Sequence, residues 1–268
     1  MVYAFARKAV GRLLGPHQLE ESDLLLALFR RRPPGVLVEV GAHTGDGTFQ
    51  RFARDGWMIH AFEPDPDNRR GLEQTAANFP NIAIIPKAVA EKSGTMTLYR
   101  SSESTGISSL VAFTEGHEAG IKVQVISLVE YLTENAIPQV DFLKIDVEGY
   151  EKFVLDGYPW VTHRPRAVLL EFEDRKTLPL GYSWRELAER LRGLGYEVLV
   201  SEWFPIVRYG VFHQWRRYAS YPTELLDGNG WGNMIAVEPA DFDHLKRLAQ
   251  IQALRFRARR KLRPKNYG

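Results

Sequence analysis

The 268-residue chain contains no cysteine. That excludes disulfides, thiolate zinc sites and cysteine nucleophiles together. Long apolar runs are also missing. The longest near the N-terminus, Leu24 to Phe29, is far too short to cross a bilayer. The first ten residues, Met1 to Val10, lack the uninterrupted apolar segment of a secretory leader. A cytoplasmic protein is therefore expected. Internal repeats and low-complexity tracts are absent, and there is little net charge, +2 from 35 basic and 33 acidic residues. The 44% of hydrophobic and 25% of charged residues suffice for a full core. The length suits one α/β domain with terminal extensions.

The main signal lies in Val36-Leu-Val-Glu-Val-Gly-Ala-His-Thr-Gly-Asp-Gly-Thr48 and Ile59-His-Ala-Phe-Glu-Pro-Asp65. An apolar strand-like run ends in Glu39-x-Gly41-x-x-x-Gly45, a helix-like segment follows, and a second apolar run ends in Glu63. An acid at that distance beyond the glycines can accept hydrogen bonds from both hydroxyls of a ribose at the carboxyl edge of a parallel sheet. Glycine at 41 and 45 lets backbone approach the ligand closely. The spacing differs from the G-x-G-x-x-G that brings amides against a pyrophosphate, and Glu39 would repel such a group. A phosphate-free ligand with a cationic amino-acid end, S-adenosylmethionine, fits better. A nicotinamide-dependent oxidoreductase remains the alternative, since Glu63 alone would suit it.

A third strand end carries acids in Val140-Asp-Phe-Leu-Lys-Ile-Asp-Val-Glu-Gly-Tyr-Glu151. Together with Phe62-Glu-Pro-Asp65, Lys87-Ala-Val-Ala-Glu-Lys-Ser-Gly94, Ser108-Ser-Leu110 and Val168-Leu-Leu-Glu-Phe172, it resembles the FkbM-type family of S-adenosylmethionine-dependent methyltransferases. The resemblance runs from about Val36 to Phe172, and Leu-Lys-Ile-Asp-Val-Glu-Gly is its most distinctive string. One departure is His43, where the family usually has Asn. The resemblance implies a doubly wound α/β sheet of the Rossmann-like class I methyltransferase kind and O-methyl transfer to a saccharide or glycoconjugate. Cofactor contacts are expected from the first glycine loop at Glu39, Gly41, Ala42, His43 and Gly45. Others are expected at Glu63, Pro64 and Asp65, at Ala88 and Val89, at Ser109, and at Asp146 and Glu148.

Methyl transfer to a hydroxyl needs alignment first and a proton acceptor second. Strand ends supply Asp146, Glu148 and Glu171, with Asp146 and Glu171 as the candidate catalytic pair. Plainer roles are a helix cap for Asp146, an ion pair with Lys144 for Glu148 and a solvated strand end for Glu171. Magnesium held by Asp146, Glu171 and Glu173 or Asp174 is chemically sensible. No His-rich or closely spaced carboxylate motif requires it, so no metal is expected.

Periodicity places helices near 19–31, 46–54, 66–78, 127–134, 150–156 and 182–194. Strands are expected near 36–41, 57–62, 82–86, 141–146, 166–171, 196–201 and 232–238, with short ones between 95 and 127. Three parts follow: a helical extension over 1–35, a methyltransferase domain over 36–240 and a basic amphipathic helix over 241–268.

The connection from Trp203 to Trp231 holds eight Trp, Phe and Tyr residues among Arg208, His213, Arg216 and Arg217. Long structureless connections are usually functional. Flat aromatic faces and arginine forks suit a saccharide acceptor, so Arg208, His213, Trp215 and Arg216 are expected to bind it, with His213 a further base candidate. Packing in a small second core is the plainer fate of such aromatics.

At the C-terminus, Leu245, Leu248, Ile251, Leu254, Ala258 and Leu262 recur at helical spacings. Seven basic residues and no acid lie between Arg255 and Lys265; without their charges the net of +2 becomes −5. Such a tail suits contact with an anionic membrane surface, at the inner face of a membrane, or with nucleic acid; the plainer reading is a solvated helix end packed along the domain by its apolar stripe. No nucleic-acid partner is expected. A non-catalytic membrane- or nucleic-acid-associated module is the remaining alternative.

Overall fold

The computed structural model describes residues 19–45, 47–101, 104–113, 116–209 and 213–262. The expected extension over 1–35 and tail over 241–268 therefore lie partly outside the described residues.

The first described helix, α1 (Ser22–Phe29), leads into β1 (Val36–Val40), aliphatic apart from Glu39 and buried on both faces. α2 (Thr48–Arg54), β2 (Met58–Phe62), α3 (Pro66–Ala76) and β3 (Ile82–Ile85) follow in βαβ alternation. Asp65 caps α3 by accepting from the Asp67 amide, with Pro66 in the first turn. After an insertion, the chain returns through α4 (Leu128–Glu134) to β7 (Phe142–Ile145). It continues through α5 (Glu151–Asp156), β8 (Ala167–Glu173), α6 (Asp174–Thr177) and α7 (Trp184–Gly193), which opens with a Ser183–Glu186 capping box. β9 (Glu197–Trp203), β10 (Trp215–Ser220), β11 (Trp231–Val237) and α8 (Pro239–Leu262) complete it.

The eight-stranded sheet has the order β10-β9-β11-β8-β7-β1-β2-β3. β3, β2, β1, β7 and β8 are parallel, whereas β11 runs antiparallel to both β8 and β9. The chain leaves β1 toward β2 and β3, then returns to β7 on the other side of β1. That reversal opens the crevice in which doubly wound sheets bind ligands. Helices α1, α2, α3 and α8 bury Leu25, Phe52, Leu72 and Leu245 on one face of the sheet. Helices α4, α5 and α7 bury Leu128, Val154 and Leu187 on the other. The expected Rossmann-like class I arrangement is present.

The insertion folds as a second, three-stranded sheet ordered β4-β6-β5, from β4 (Ala88–Val89), β5 (Gly94–Ser101) and β6 (His117–Ile126). Arg100 on β5 ties it to the main sheet by ion pairs with Asp65 and Asp67.

The connection 203–231 is not the structureless loop expected. Trp215–Ser220 forms β10, an edge strand antiparallel to β9 with an irregular register at Trp215/Arg217. Trp203, Trp215 and Tyr221 are buried.

Candidate active site

The carboxyl ends of β1, β2 and β7 open a cleft roofed by the inserted sheet. Gly41, Glu63, Pro64, Ala88, Val89, Ser109 and Asp146 line it, all expected from the sequence. Asn68, Leu98 and Thr105 line it too and were not foreseen. Asn68 faces the cleft from α3 and donates to the Thr105 carbonyl at 3.2 Å, fastening the roof.

Gly41 adopts φ 85°, and a Cβ there would stand 1.8 Å from the Asp146 carbonyl oxygen, so no side chain fits between β1 and β7. Glu63 is buried. Its two carboxylate oxygens accept the backbone amides of His43 and Asp65, each at 2.8 Å. Burial pushes its carboxyl up to about 7 against the pull of these amides. A carboxylate oxygen with one amide bond retains a lone pair for a ribose hydroxyl.

His43 has φ 50°, a left-handed conformation that suits Asn and tolerates His. Its ring meets the Thr105 hydroxyl at 3.1 Å, linking the glycine loop to the roof.

Four other expected contacts shape the cleft from behind. Ala42 is buried. Gly45 makes room for Phe49, whose ring a Cβ would meet at 2.2 Å. Asp65 spends its carboxylate on the α3 cap and Arg100. Glu39 receives the Lys144 ammonium at 2.9 Å through Oε1, while its buried Oε2 has no hydrogen-bond partner. Lys144 also pairs with Asp146 at 3.5 Å. The Gly41 cradle, the Glu63 acceptor and the Asp146 carboxylate in the cleft wall fit a nucleoside bearing a cationic amino-acid end.

Beyond Asp146 lies an acidic cluster. Asp146, Glu148 and Glu171 bring one carboxylate oxygen each within 4.8 Å of one another. The ammonium of Lys176, which the sequence did not single out, sits among them. It is buried and contacts Glu148, Glu171 at 3.2 Å and Glu173 at 3.0 Å. Glu148 therefore pairs with Lys176 rather than Lys144, and the closely spaced carboxylates already hold a cation. Burial, then the neighbouring Glu148 charge, raises the Glu171 carboxyl well above its usual range. Burial alone would lower the Lys176 ammonium, but Glu148, Glu171 and Glu173 override it and hold it well above its usual value.

The turn carrying these acids is rigidly made. Glu148 and Gly149 have φ 57° and 99°. Glu151 accepts the Val147 and Gly149 amides at 3.3 and 3.0 Å, and the Tyr182 hydroxyl donates to the Gly149 carbonyl at 2.7 Å. Ser109 donates to the Glu148 carbonyl at 2.8 Å, joining roof to turn.

The expected acceptor residues divide. His213 packs edge-on to Trp231 at 5.1 Å; burial lowers its pKa, Glu173 opposes this and Lys176 adds to it. Arg208 is exposed. Trp215 is 3% exposed and donates to Ser201 at 3.1 Å; its indole seals β9 against α8 and does not face the cleft. Arg216 lies over the Phe204 ring at 4.8 Å and pairs with buried Glu202 at 3.6 Å. Both pack on the edge strand, and neither lines the cleft. Tyr209 and Phe113, from two different connections, instead place their rings 5.9 and 5.5 Å from the Lys176 ammonium.

Over 153 residues the chain is 25% identical to the hexuronic acid methyltransferase AglP of Haloferax volcanii, covering 57% of this chain and 62% of that one. The chain thus matches less than two thirds of AglP. It is 28% identical over 218 residues to the 31-O-demethyl-FK506 methyltransferase FkbM of Streptomyces tacrolimicus, covering 68% and 80% of the two chains. Among solved structures, Methyltransferase FkbM from Methylobacillus flagellatus superposes with a TM-score of 0.46 at 15% identity, over 76% of this chain and 44% of that one. The methyltransferase FkbM domain matches residues 39–198, more than half of the chain, and the protein belongs to that family.

Proposed function

We propose that the protein is an S-adenosylmethionine-dependent O-methyltransferase acting on a hydroxyl of a saccharide or glycoconjugate. The observation that carries this reading is Asp146, which lines the cleft and belongs to the carboxylate cluster beyond it. The name of one relative, referring to a hexuronic acid, supports a saccharide acceptor, and that of the other, referring to an O-demethyl compound, supports O-methyl transfer.

Bound S-adenosylmethionine supplies an electrophilic methyl group. Glu63 holds the ribose, Gly41 admits the ligand against β1, and Glu39 with Asp146 receives the amino-acid end. On the acceptor side, Asp146 accepts a hydrogen bond from the hydroxyl and orients its oxygen toward the methyl. Glu171 would take the proton that the hydroxyl sheds when its oxygen displaces adenosylhomocysteine from the methyl carbon, the sulfur keeping the electron pair of the broken bond. Burial and the neighbouring Glu148 charge raise the Glu171 carboxyl pKa, which makes its ionised form the stronger proton acceptor. Lys176 holds Glu171 in place. His213 and Arg208 stand at the acceptor's approach.

Labelled-methyl transfer from S-adenosylmethionine to a panel of sugars and glycolipids tests the reading, with product mass locating the methyl. Thermal stabilisation by adenosylhomocysteine and not by NAD is expected. The reverse pattern would restore the oxidoreductase alternative.

A further inference from the structure

We infer that the outer face of α8 and the carboxyl edge beside β9 together form a docking surface for an anionic lipid bilayer. The inference stands on two surfaces that meet, and is independent of the acceptor's identity.

The first surface is the second half of α8. The apolar residues expected to form one stripe do not stay on one face. Steps of three residues turn each successive position back by about 60° on an α-helix. Leu245 is buried against α1 and the sheet, Leu248 is half-buried, Ile251 is exposed and Leu254 is 66% exposed. Arg247, Arg255 and Arg257, all exposed, flank this outward part. The apolar face is thus left in water where the chain becomes basic.

The second surface is the edge that bears the active site. Leu178, Phe204, Val207 and Leu226 expose their side chains there, Val207 at 97%. They ride on connections leaving β8 and β9 or returning to β11. The two surfaces are joined by the buried cluster of Trp203 and Trp215, against which Ala253 and Phe256 of α8 pack.

Apolar side chains interleaved with arginine match a lipid interface, which buries the former and attracts the latter; neither feature alone gives firm attachment. Charge complementarity favours an anionic surface, because the basic residues are concentrated between Arg255 and Lys265 while the rest of the chain carries −5. A nucleic-acid duplex would reward the arginines but offers little to Leu254, Ile251 and Val207. Docking in this pose faces the acceptor side of the cleft toward the bilayer.

Co-sedimentation of the full chain with vesicles tests it, comparing phosphatidylcholine alone with phosphatidylcholine–phosphatidylglycerol. Binding is expected only to the anionic vesicles and should weaken with added salt. Arg255→Gln and Arg257→Gln should each reduce partitioning roughly fivefold. Ile251→Ser combined with Leu254→Ser should reduce it about tenfold or more, with unchanged melting and adenosylhomocysteine affinity. Val207→Ser, on the other surface, should weaken it too and guards against a helix-specific artefact. Equal sedimentation with both vesicle types, or none at low salt, overturns the proposal. So does full binding by the apolar variants together with tight duplex RNA binding, which would assign the surface to nucleic acid.

Discussion

Two residues carry predictions about charge at the site. Glu63 lies buried with its carboxyl pushed up to about 7, above its unfolded value. The neutral form is thereby favoured in the free protein, and this group's contribution to stability falls as pH rises from the unfolded value through about 7. Ligand binding has the opposite sign, because the carboxylate is the better acceptor for ribose hydroxyls. Adenosylhomocysteine affinity should rise with pH, by up to about tenfold per unit below pH 7, and level off above it. Calorimetry on Glu63→Gln should show weaker binding and no such slope; a slope retained in the variant would assign it to another group. The second residue is Lys176. Lys176→Met leaves Glu148, Glu171 and Glu173 without their ammonium, a loss of about 3–5 kcal/mol for one partner of a buried ion pair. Because burial already favours the neutral carboxyls of Glu148 and Glu171, the loss should shrink as pH falls and those two protonate. Urea unfolding at two pH values measures this, and an equal loss at both would mean Lys176 acts by packing alone.

At the scale of elements, Trp215 tests whether β10 belongs to the fold or to the acceptor site. Trp215→Ala should destabilise by about 3–5 kcal/mol, the usual cost of emptying a buried aromatic site, while adenosylhomocysteine affinity per folded molecule stays the same. An undiminished melting temperature with impaired acceptor use would return Trp215 to recognition. The strand was illegible because Arg216 and Arg217 interrupt its apolar pattern, and only burial of Glu202 beside them explains two arginines on an edge strand. Strands β1, β2, β7 and β8 were legible because both faces are buried, so they read as continuous apolar runs. The cofactor half of the site was readable for a related reason: Gly41, Glu63 and Asp146 each follow such a run. Lys176 was not readable. In Glu173-Asp-Arg-Lys it looks like part of a solvated helical turn, and only the return of β7 beside β8 surrounds it with acids.

The same logic tests catalysis. Asp146 and Glu171 stand on adjacent strands, so neither role depends on a mobile segment. Glu171→Gln should lower turnover by roughly two to four orders of magnitude while sparing cofactor affinity. In the parent enzyme the rate should rise with pH through the raised Glu171 pKa, since only the ionised form accepts a proton; the variant should lack that limb. An unchanged profile would mean that positioning by Asp146 suffices.

For the whole molecule, the question is what α8 contributes to the core. No described helix is long and apolar enough to cross a membrane, and the bilayer contact inferred above uses surfaces that the fold leaves outside. α8 serves both purposes in sequence. Phe242, Leu245 and Ala249 are buried with Leu24, Leu25 and Leu28 of α1 against the sheet, whereas Ile251 and Leu254 are exposed. Full burial of one residue such as Leu245 or Phe242 is worth about 1.5–3 kcal/mol, a sizeable share of the 5–15 kcal/mol that typically holds a domain together. Truncation after Leu254 should therefore leave the melting temperature within a few degrees, whereas truncation after Glu238 should abolish cooperative unfolding and leave α1 without its partner. Hydrogen exchange reads the same boundary: protection in α1 should survive the first truncation and vanish in the second. If α1 stayed protected after loss of the entire helix, the sheet alone would hold it.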